Sequence, residues 1–302
     1  MSNEKSCAST SINWYPGHMA KAKRLIIEDL KLVDVVIEIL DSRIPISSQN
    51  PEINQIIKDK KRIIILNKSD LANENENKKW IQFFKEKGIK AILTDSNSGR
   101  GINEVIREAE NIMKDELEKL AQKGRVGRTI RVLILGIPNV GKSSFINRVA
   151  KRVSAEVGNK PGVTKKNKWI RVNEKIELLD TPGVLWPKFE SEEVALNLSY
   201  TGTIKDEILE ITEIAFYLLK KLIKEYPTNL CDRYKLDINE IDEIMKNNEE
   251  NEAVYEILKI IAKKRGAFIS GGNINEEKIS RIIIDEFRSG KIGKITLEKA
   301  GK

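Results

Sequence analysis

The segment Gly136-Ile-Pro-Asn-Val-Gly-Lys-Ser143 leaves this chain few folds to choose from. It fills the pattern G-x-x-x-x-G-K-S/T and stands between an apolar run, Thr129 to Leu135, and an amphipathic run that opens at Lys142. Such a loop works where a strand delivers it to a helix N-terminus, because the backbone N–H groups then point inward and cradle phosphates. The candidate contacts are Asn139, Val140, Gly141, Lys142, Ser143 and Ser144. Lys142 would reach the β- and γ-phosphates of a nucleotide, and the Ser143 hydroxyl would bind Mg²⁺.

The rest of the chain supplies the sheet that such a loop requires. Short apolar runs at Val33–Leu40, Arg62–Leu66, Ala91–Thr94, Thr129–Leu135 and Lys175–Leu179 read as strands. Helical periods run over Met19–Leu32, Asn77–Lys87 and Ile102–Ala121, and Lys142–Val149 opens another helix. Short apolar strands alternating with helices imply a parallel sheet covered on both faces. After Pro187 strand alternation stops. Asp206–Tyr226 reads as one long helix stopped by Pro227, followed by helices over Glu250–Lys264 and Glu276–Arg288. Length fits this division, since 302 residues suit two domains of ordinary size. The expected organisation is a disordered tail over 1–11, an α/β domain over 12–190 and an all-helical domain over 191–302.

Two further motifs follow apolar strands. Asn67-Lys-Ser-Asp70 comes directly after Arg62–Leu66, and its carboxylate can accept from the N1–H and 2-amino donors of guanine. Adenine lacks that donor pair, and an acceptor left unpaired is costly, so Asp70 would discriminate between bases. Asp95 and Ser96, at the end of the next strand, would back the base, Ser96 through its hydroxyl or backbone N–H. Asp180-Thr-Pro-Gly183 follows Lys175–Leu179: Asp180 would hold Mg²⁺ through water, and the Gly183 N–H would meet the γ-phosphate. Thr164, between the phosphate loop and Asp180, stands where a Mg²⁺-binding switch threonine belongs. Many GTPases place Gln directly after this glycine to orient the attacking water; here the residue is Val184, so hydrolysis by the isolated protein should be slow.

Charge and composition remove several other classes. Residues 1–190 carry 35 Lys and Arg against 24 Asp and Glu, whereas residues 191–302 carry 18 against 21. Nine basic residues fall between Arg148 and Lys175, which reads either as a solvated face or as a phosphate-backbone footprint. No apolar run approaches the ~18 residues of a membrane span. The N-terminus has no signal-peptide core, and Cys7 and Cys231 form neither a disulfide framework nor a metal cluster. A basic cytoplasmic protein remains. Asp41-Ser-Arg43, at a strand end, reads as support for the pocket or as a local salt bridge. Trp14, Tyr15, Trp169 and Trp186 read as packing groups or as platforms for unpaired RNA bases.

In chain order the motifs run Asn67–Asp70, Ser96, Gly136–Ser143, Thr164, Asp180–Gly183, whereas ordinary GTPases begin with the phosphate loop. With Trp14-Tyr-Pro-Gly-His-Met-Ala-Lys21, Asp180-Thr-Pro-Gly-Val-Leu-Trp-Pro187, Arg265-Gly, Ser270-Gly-Gly272 and Arg288-Ser-Gly-Lys291, the chain resembles the circularly permuted GTPases. Within them it resembles the ribosome biogenesis GTPase A group, from Asn13 to about Gly293. The resemblance implies a P-loop GTPase fold with a parallel-type sheet in circularly permuted motif order, followed by a small all-α C-terminal domain. It also implies GTP/GDP and Mg²⁺ as ligands, and late assembly of the large ribosomal subunit as the task. Ribosomal RNA and ribosomal proteins would be contacts, with release after hydrolysis by a monomer that needs no membrane. It points to His18 as the group that helps position water alongside Gly183, and to Asn139 as a potassium ligand beside the phosphates. The other readings are a GTP-dependent RNA-binding module with negligible turnover, or a GTPase acting on a protein partner.

Overall fold

The computed structural model describes residues 17–57, 60–157, 169–181, 183, 185–186, 189, 191–204, 206 and 210–301, without the side chains of 17–23 and 152–157. The expected tail over 1–11 lies outside the described residues. Six strands form one sheet in the order β3-β2-β1-β4-β6-β5. They are β1 (Val35–Asp41), β2 (Lys61–Asn67), β3 (Lys90–Leu93), β4 (Ile130–Leu135), β5 (Trp169–Arg171) and β6 (Ile176–Asp180). All neighbours pair in parallel except β5, which lies antiparallel to β6 at the edge.

Strand β1 explains why this sheet is covered on both faces. All seven of its residues are buried, and alternation sends them to different layers. Val35, Ile37 and Ile39 join Ile63, Ile65, Val132 and Ile134 in the core reached by α4 (Ile102–Gln122) and α5 (Lys142–Val157). Val36 faces the opposite way, with Leu133 and Leu135, against α1 (Gly17–Leu30) and α2 (Pro51–Ile57). Leu40, on that second face, meets α3 (Glu74–Glu86) through Trp80 and Phe84. Fully burying side chains of this size is worth roughly 1.5–3 kcal/mol each, which fixes strand register strongly.

Beyond residue 190 the described residues form α6 (Glu192–Tyr200), α7 (Ile211–Glu225), α8 (Pro227–Tyr234), α9 (Ile238–Asn247), α10 (Glu250–Lys264) and α11 (Glu276–Arg288). Helix α7 is central: Ala215, Leu218, Leu219 and Leu222 are wholly buried, and it packs against α11, α10 and α6. It starts at Ile211 rather than at Asp206, whose carboxylate accepts from Arg288 Nη1 and Nη2. Pro227 does more than stop α7. It occupies the first turn of α8, where its fixed φ and missing N–H cost nothing. The final segment, Gly290–Gly301, returns to the sheet, and Ile292, Ile295, Thr296 and Leu297 are buried there.

Candidate nucleotide site

Five loops meet at the C-terminal ends of the parallel strands, the edge where open α/β sheets present ligands. The phosphate loop joins β4 to α5, as its pattern required. Asn139 (φ 62°) and Gly141 (φ 95°) both take the left-handed conformation that turns the chain tightly ahead of the α5 N-terminus. Parallel pairing of β4 with β6 sets Asp180 beside Ile134, and Lys142 Nζ lies 3.4 Å from Asp180 Oδ1. The Thr181 hydroxyl donates to the Ile134 carbonyl at 2.7 Å. A Cβ on Gly183 would stand 3.0 Å from the Pro138 nitrogen, so Gly183 lies directly against the phosphate loop. Ser143 and Ser144 are exposed at the start of α5.

Asn67 joins the base motif to that loop. Its side chain is buried; Nδ2 donates to the Val140 carbonyl at 2.8 Å, while Oδ1 accepts from Thr94 Oγ1, the Ser96 N–H and Ser96 Oγ. One amide thereby locks together the ends of β2 and β3 and the phosphate loop. The Ser96 hydroxyl and N–H, expected to back the base, are both directed at Asn67. Asp95 Oδ1 accepts from the N–H groups of Asn97 and Ser98. Burial pushes the Asp95 carboxyl up, but these bonds and Arg100 hold it below the usual carboxylate value. Asp70 is half-buried, between Ser69, whose hydroxyl donates to the Thr94 carbonyl at 2.9 Å, and Leu71.

Asp41-Ser-Arg43, read from the sequence as support for the pocket or as a local salt bridge, forms that salt bridge and also reaches the phosphate loop through Lys68. Asp41 Oδ1 accepts from the Arg43 N–H and Nε at 3.0 Å each, and Oδ2 accepts from Arg43 Nη2 at 2.8 Å. Lys68 Nζ lies 3.0 Å from Asp41 Oδ2 and donates to the Asn139 carbonyl at 2.7 Å. Burial alone would raise the Asp41 pKa, but Arg43 and Lys68 hold it far below the usual carboxylate range. Arg43 Nη1 also donates to the Arg288 carbonyl at 3.3 Å, and the Arg288 side chain donates to the carbonyls of Ser199 and Tyr200. The Asn139 side chain donates to the Gly202 carbonyl in the turn after α6. Among the described residues the phosphate loop is therefore linked to the helical part of the chain directly through Asn139 and indirectly through Lys68, Asp41 and Arg43. The only local signal for this was an Asp at a strand end.

Several expected contributors fall outside the described residues: Thr164, Val184, Trp14 and Tyr15, and with them Lys160, Lys165, Lys166 and Lys168. His18 stands in the first turn of α1, with its side chain outside the description. The described part of the basic stretch is not one surface. Arg148 donates to the Ser98 carbonyl near the site, whereas Lys175 precedes β6 at the opposite end of that strand. Trp186 is buried and stacks edge-on with Phe189 at 5.5 Å, which makes it a packing group. Trp169 is partly buried under the Arg131 guanidinium, 5.2 Å from its ring centroid.

The comparisons agree with this arrangement. A family model described as "50S ribosome-binding GTPase" matches residues 131–262. That span opens at the strand before the phosphate loop and leaves out Asn67–Asp70, which here lies upstream. The chain is 46% identical over 287 residues to the Ribosome biogenesis GTPase A of Bacillus cereus, covering 95% of this chain and 93% of that protein. It is 32% identical to the mouse Mitochondrial ribosome-associated GTPase 1, covering 95% and 90%. Among solved structures, GDP-bound YlqF of Thermotoga maritima superposes with a TM-score of 0.64 at 27% identity, covering 92% of this chain and 100% of that one. The GNP-bound form gives 0.61 at 28%, covering 93% and 99%. With its motif residues brought to one sheet edge and relatives matched over nearly their whole length, the chain belongs to the ribosome biogenesis GTPase A family.

Proposed function

We propose that this GTPase binds the large ribosomal subunit and its rRNA during late maturation, in the cytoplasm and as a monomer, and leaves after hydrolysing GTP. The buried Asn67 carries the nucleotide part of this reading, because it holds the base motif and the phosphate loop in one frame. Asp70 reads guanine, and Lys68 supports the phosphate loop from beneath. The residues present also fit Mg²⁺. Among the described residues no group of three or more His, Cys, Asp or Glu could hold a metal ion unaided. The ion would instead rest on the exposed Ser143 hydroxyl, the Asp180 carboxylate and Thr164, together with phosphate oxygens; there it would neutralise developing charge. Lys142 and Asp180 pair with each other at 3.4 Å, a span that a phosphate oxygen and a hydrated ion would separate.

With Val184 after Gly183, water is oriented by another group, and His18 is assigned that task; Asn139 is assigned a potassium ion. Among the described residues no helix is long and apolar enough to cross a membrane. The test is turnover by the full chain, alone and with purified large subunits, in potassium and in sodium chloride at equal ionic strength. Slow turnover alone, subunit stimulation and a preference for potassium are expected, and His18→Ala should keep GTP affinity while losing stimulation. Negligible turnover with subunits present would instead favour an RNA-binding module.

Base reading has its own test. Asp70→Asn replaces an acceptor with a donor where guanine presents two donors, and should weaken GDP binding by about 100-fold. The same amide suits the 2-oxo group of xanthine, so xanthosine diphosphate should gain on GDP. Titration calorimetry with both nucleotides reads the change.

A further inference from the structure

We propose that the C-terminal strap, residues 292–299, is a positioning element for guanine recognition: it fixes the far flank of Asp70 and so sets how well the pocket tells guanine from related bases. This rests on the reading of Asp70 as the base-reading carboxylate. Asp70 sits between two anchored neighbours. On one side the Ser69 N–H donates to the Thr94 carbonyl at 3.1 Å, which ties that flank to the end of β3. On the other side the anchor comes from residues more than 220 positions later. The Ile295 N–H donates to the Leu71 carbonyl at 2.9 Å, and the Asn73 N–H donates to Thr296 Oγ1 at 3.0 Å.

The strap is itself held firmly enough to act as an anchor. Thr296 is wholly buried; its carbonyl accepts from the Tyr226 hydroxyl at 2.7 Å, and its N–H donates to that oxygen at 3.2 Å. The Leu297 N–H donates to the Arg43 carbonyl at 2.8 Å, beside the ion pair with Asp41. The Glu298 carboxylate accepts from the N–H groups of Ile46 and Ser47 at 2.6 and 2.9 Å, and its carbonyl accepts from Trp80 Nε1 at 3.3 Å. The strap thus bridges the loops after β1 and β2 while Tyr226 fastens it to the end of α7. Small displacements of a charged acceptor matter because such bonds weaken steeply with distance and angle. Loosening Leu71 and Asn73 would blur Asp70 and leave the phosphate loop, held by Asn67 and Lys68, in place.

Comparing GDP with inosine diphosphate tests this in the full chain. Inosine keeps N1–H and lacks the 2-amino group, so it forfeits one of the two bonds to Asp70. The wild type should prefer GDP by roughly tenfold or more; no preference would mean that Asp70 does not read guanine, and the strap proposal would fall with that reading. Thr296→Val removes the acceptor for Asn73 at nearly constant volume. It should lower the GDP-to-inosine preference by about 3- to 10-fold, chiefly through weaker GDP binding. Thr296→Ser, which keeps the hydroxyl, should restore it. Ile295→Pro, which removes the donor to Leu71, gives a second reading of the same ratio should Thr296→Val fail to fold. Lys259→Ala, whose contacts are Glu256 and Tyr255 on α10, is the control. A preference that survives Thr296→Val and Ile295→Pro, whether or not both affinities fall together, overturns the proposal.

Discussion

Asp41→Asn is expected to lower the unfolding free energy by about 3–5 kcal/mol, because it leaves the buried Arg43 guanidinium without its charge partner. Both side chains are 2% exposed, so solvent cannot take over the role. The neutral amide also offers a donor toward Arg43 and Lys68, which have only donors to give. Thermal unfolding should register a fall in Tm on the order of 10 °C. Tm values within 2 °C of each other would mean that the pair contributes little.

The pH dependence has a definite sign. The folded Asp41 pKa lies below its unfolded value, so its contribution is complete above the unfolded value of ~3.9 and is lost as pH falls through the folded one. The gap between wild type and Asp41→Asn should therefore hold from pH 8 to 5 and narrow below about pH 4. Binding follows stability here. Lys68 reaches both Asp41 and the Asn139 carbonyl, so the variant also loosens the phosphate loop from the base motif.

How far the sequence shows this architecture depends on whether the cause is local. The phosphate loop was legible because its glycine and lysine spacing serves one geometry between a strand and a helix, and β4 and α5 provide it. Long amphipathic helices were legible for the same reason: α10 and α11 have the expected bounds. The three-residue β5 carries no period to read, and its strand character comes from pairing with β6. Nor does the strap announce itself. Lys294, Thr296 and Glu298 alternate with apolar residues like any surface segment, yet Thr296 is wholly buried because loops from the sheet close over it. Arg43 and Arg288 meet across 245 positions through a backbone carbonyl, a contact to which any residue at 288 has access. A run of basic residues between Arg148 and Lys175 suggested one surface, but β6 separates Lys175 from the site by its own length.

Gly141→Ala should have the largest effect on nucleotide binding of any single methyl added to the phosphate loop. Two independent costs fall on the same atom. At φ 95° an alanine is strained by about 1–3 kcal/mol. Its Cβ would also stand 2.2 Å from Asn67 Nδ2, far inside contact distance. Asn67 cannot swing aside cheaply, because Oδ1 is held by Thr94 and by both the hydroxyl and the N–H of Ser96. Relief must come from the loop, which moves away from Asn67 and breaks the bond between Nδ2 and the Val140 carbonyl, at a further cost of about 1–3 kcal/mol. Val140 and Gly141 immediately precede the α5 N-terminus, so the shift displaces the N–H groups that would face phosphate. GDP binding should weaken by about 100-fold or more, the equivalent of ~2.7 kcal/mol. Gly124→Ala supplies the comparison: its φ is 79°, with nothing within 4 Å of the new Cβ. That variant carries backbone strain without a clash and should bind GDP as the wild type does. Equal GDP affinity in Gly141→Ala and wild type would show that the loop accommodates the methyl group and that Asn67 does not hold the two motifs in register.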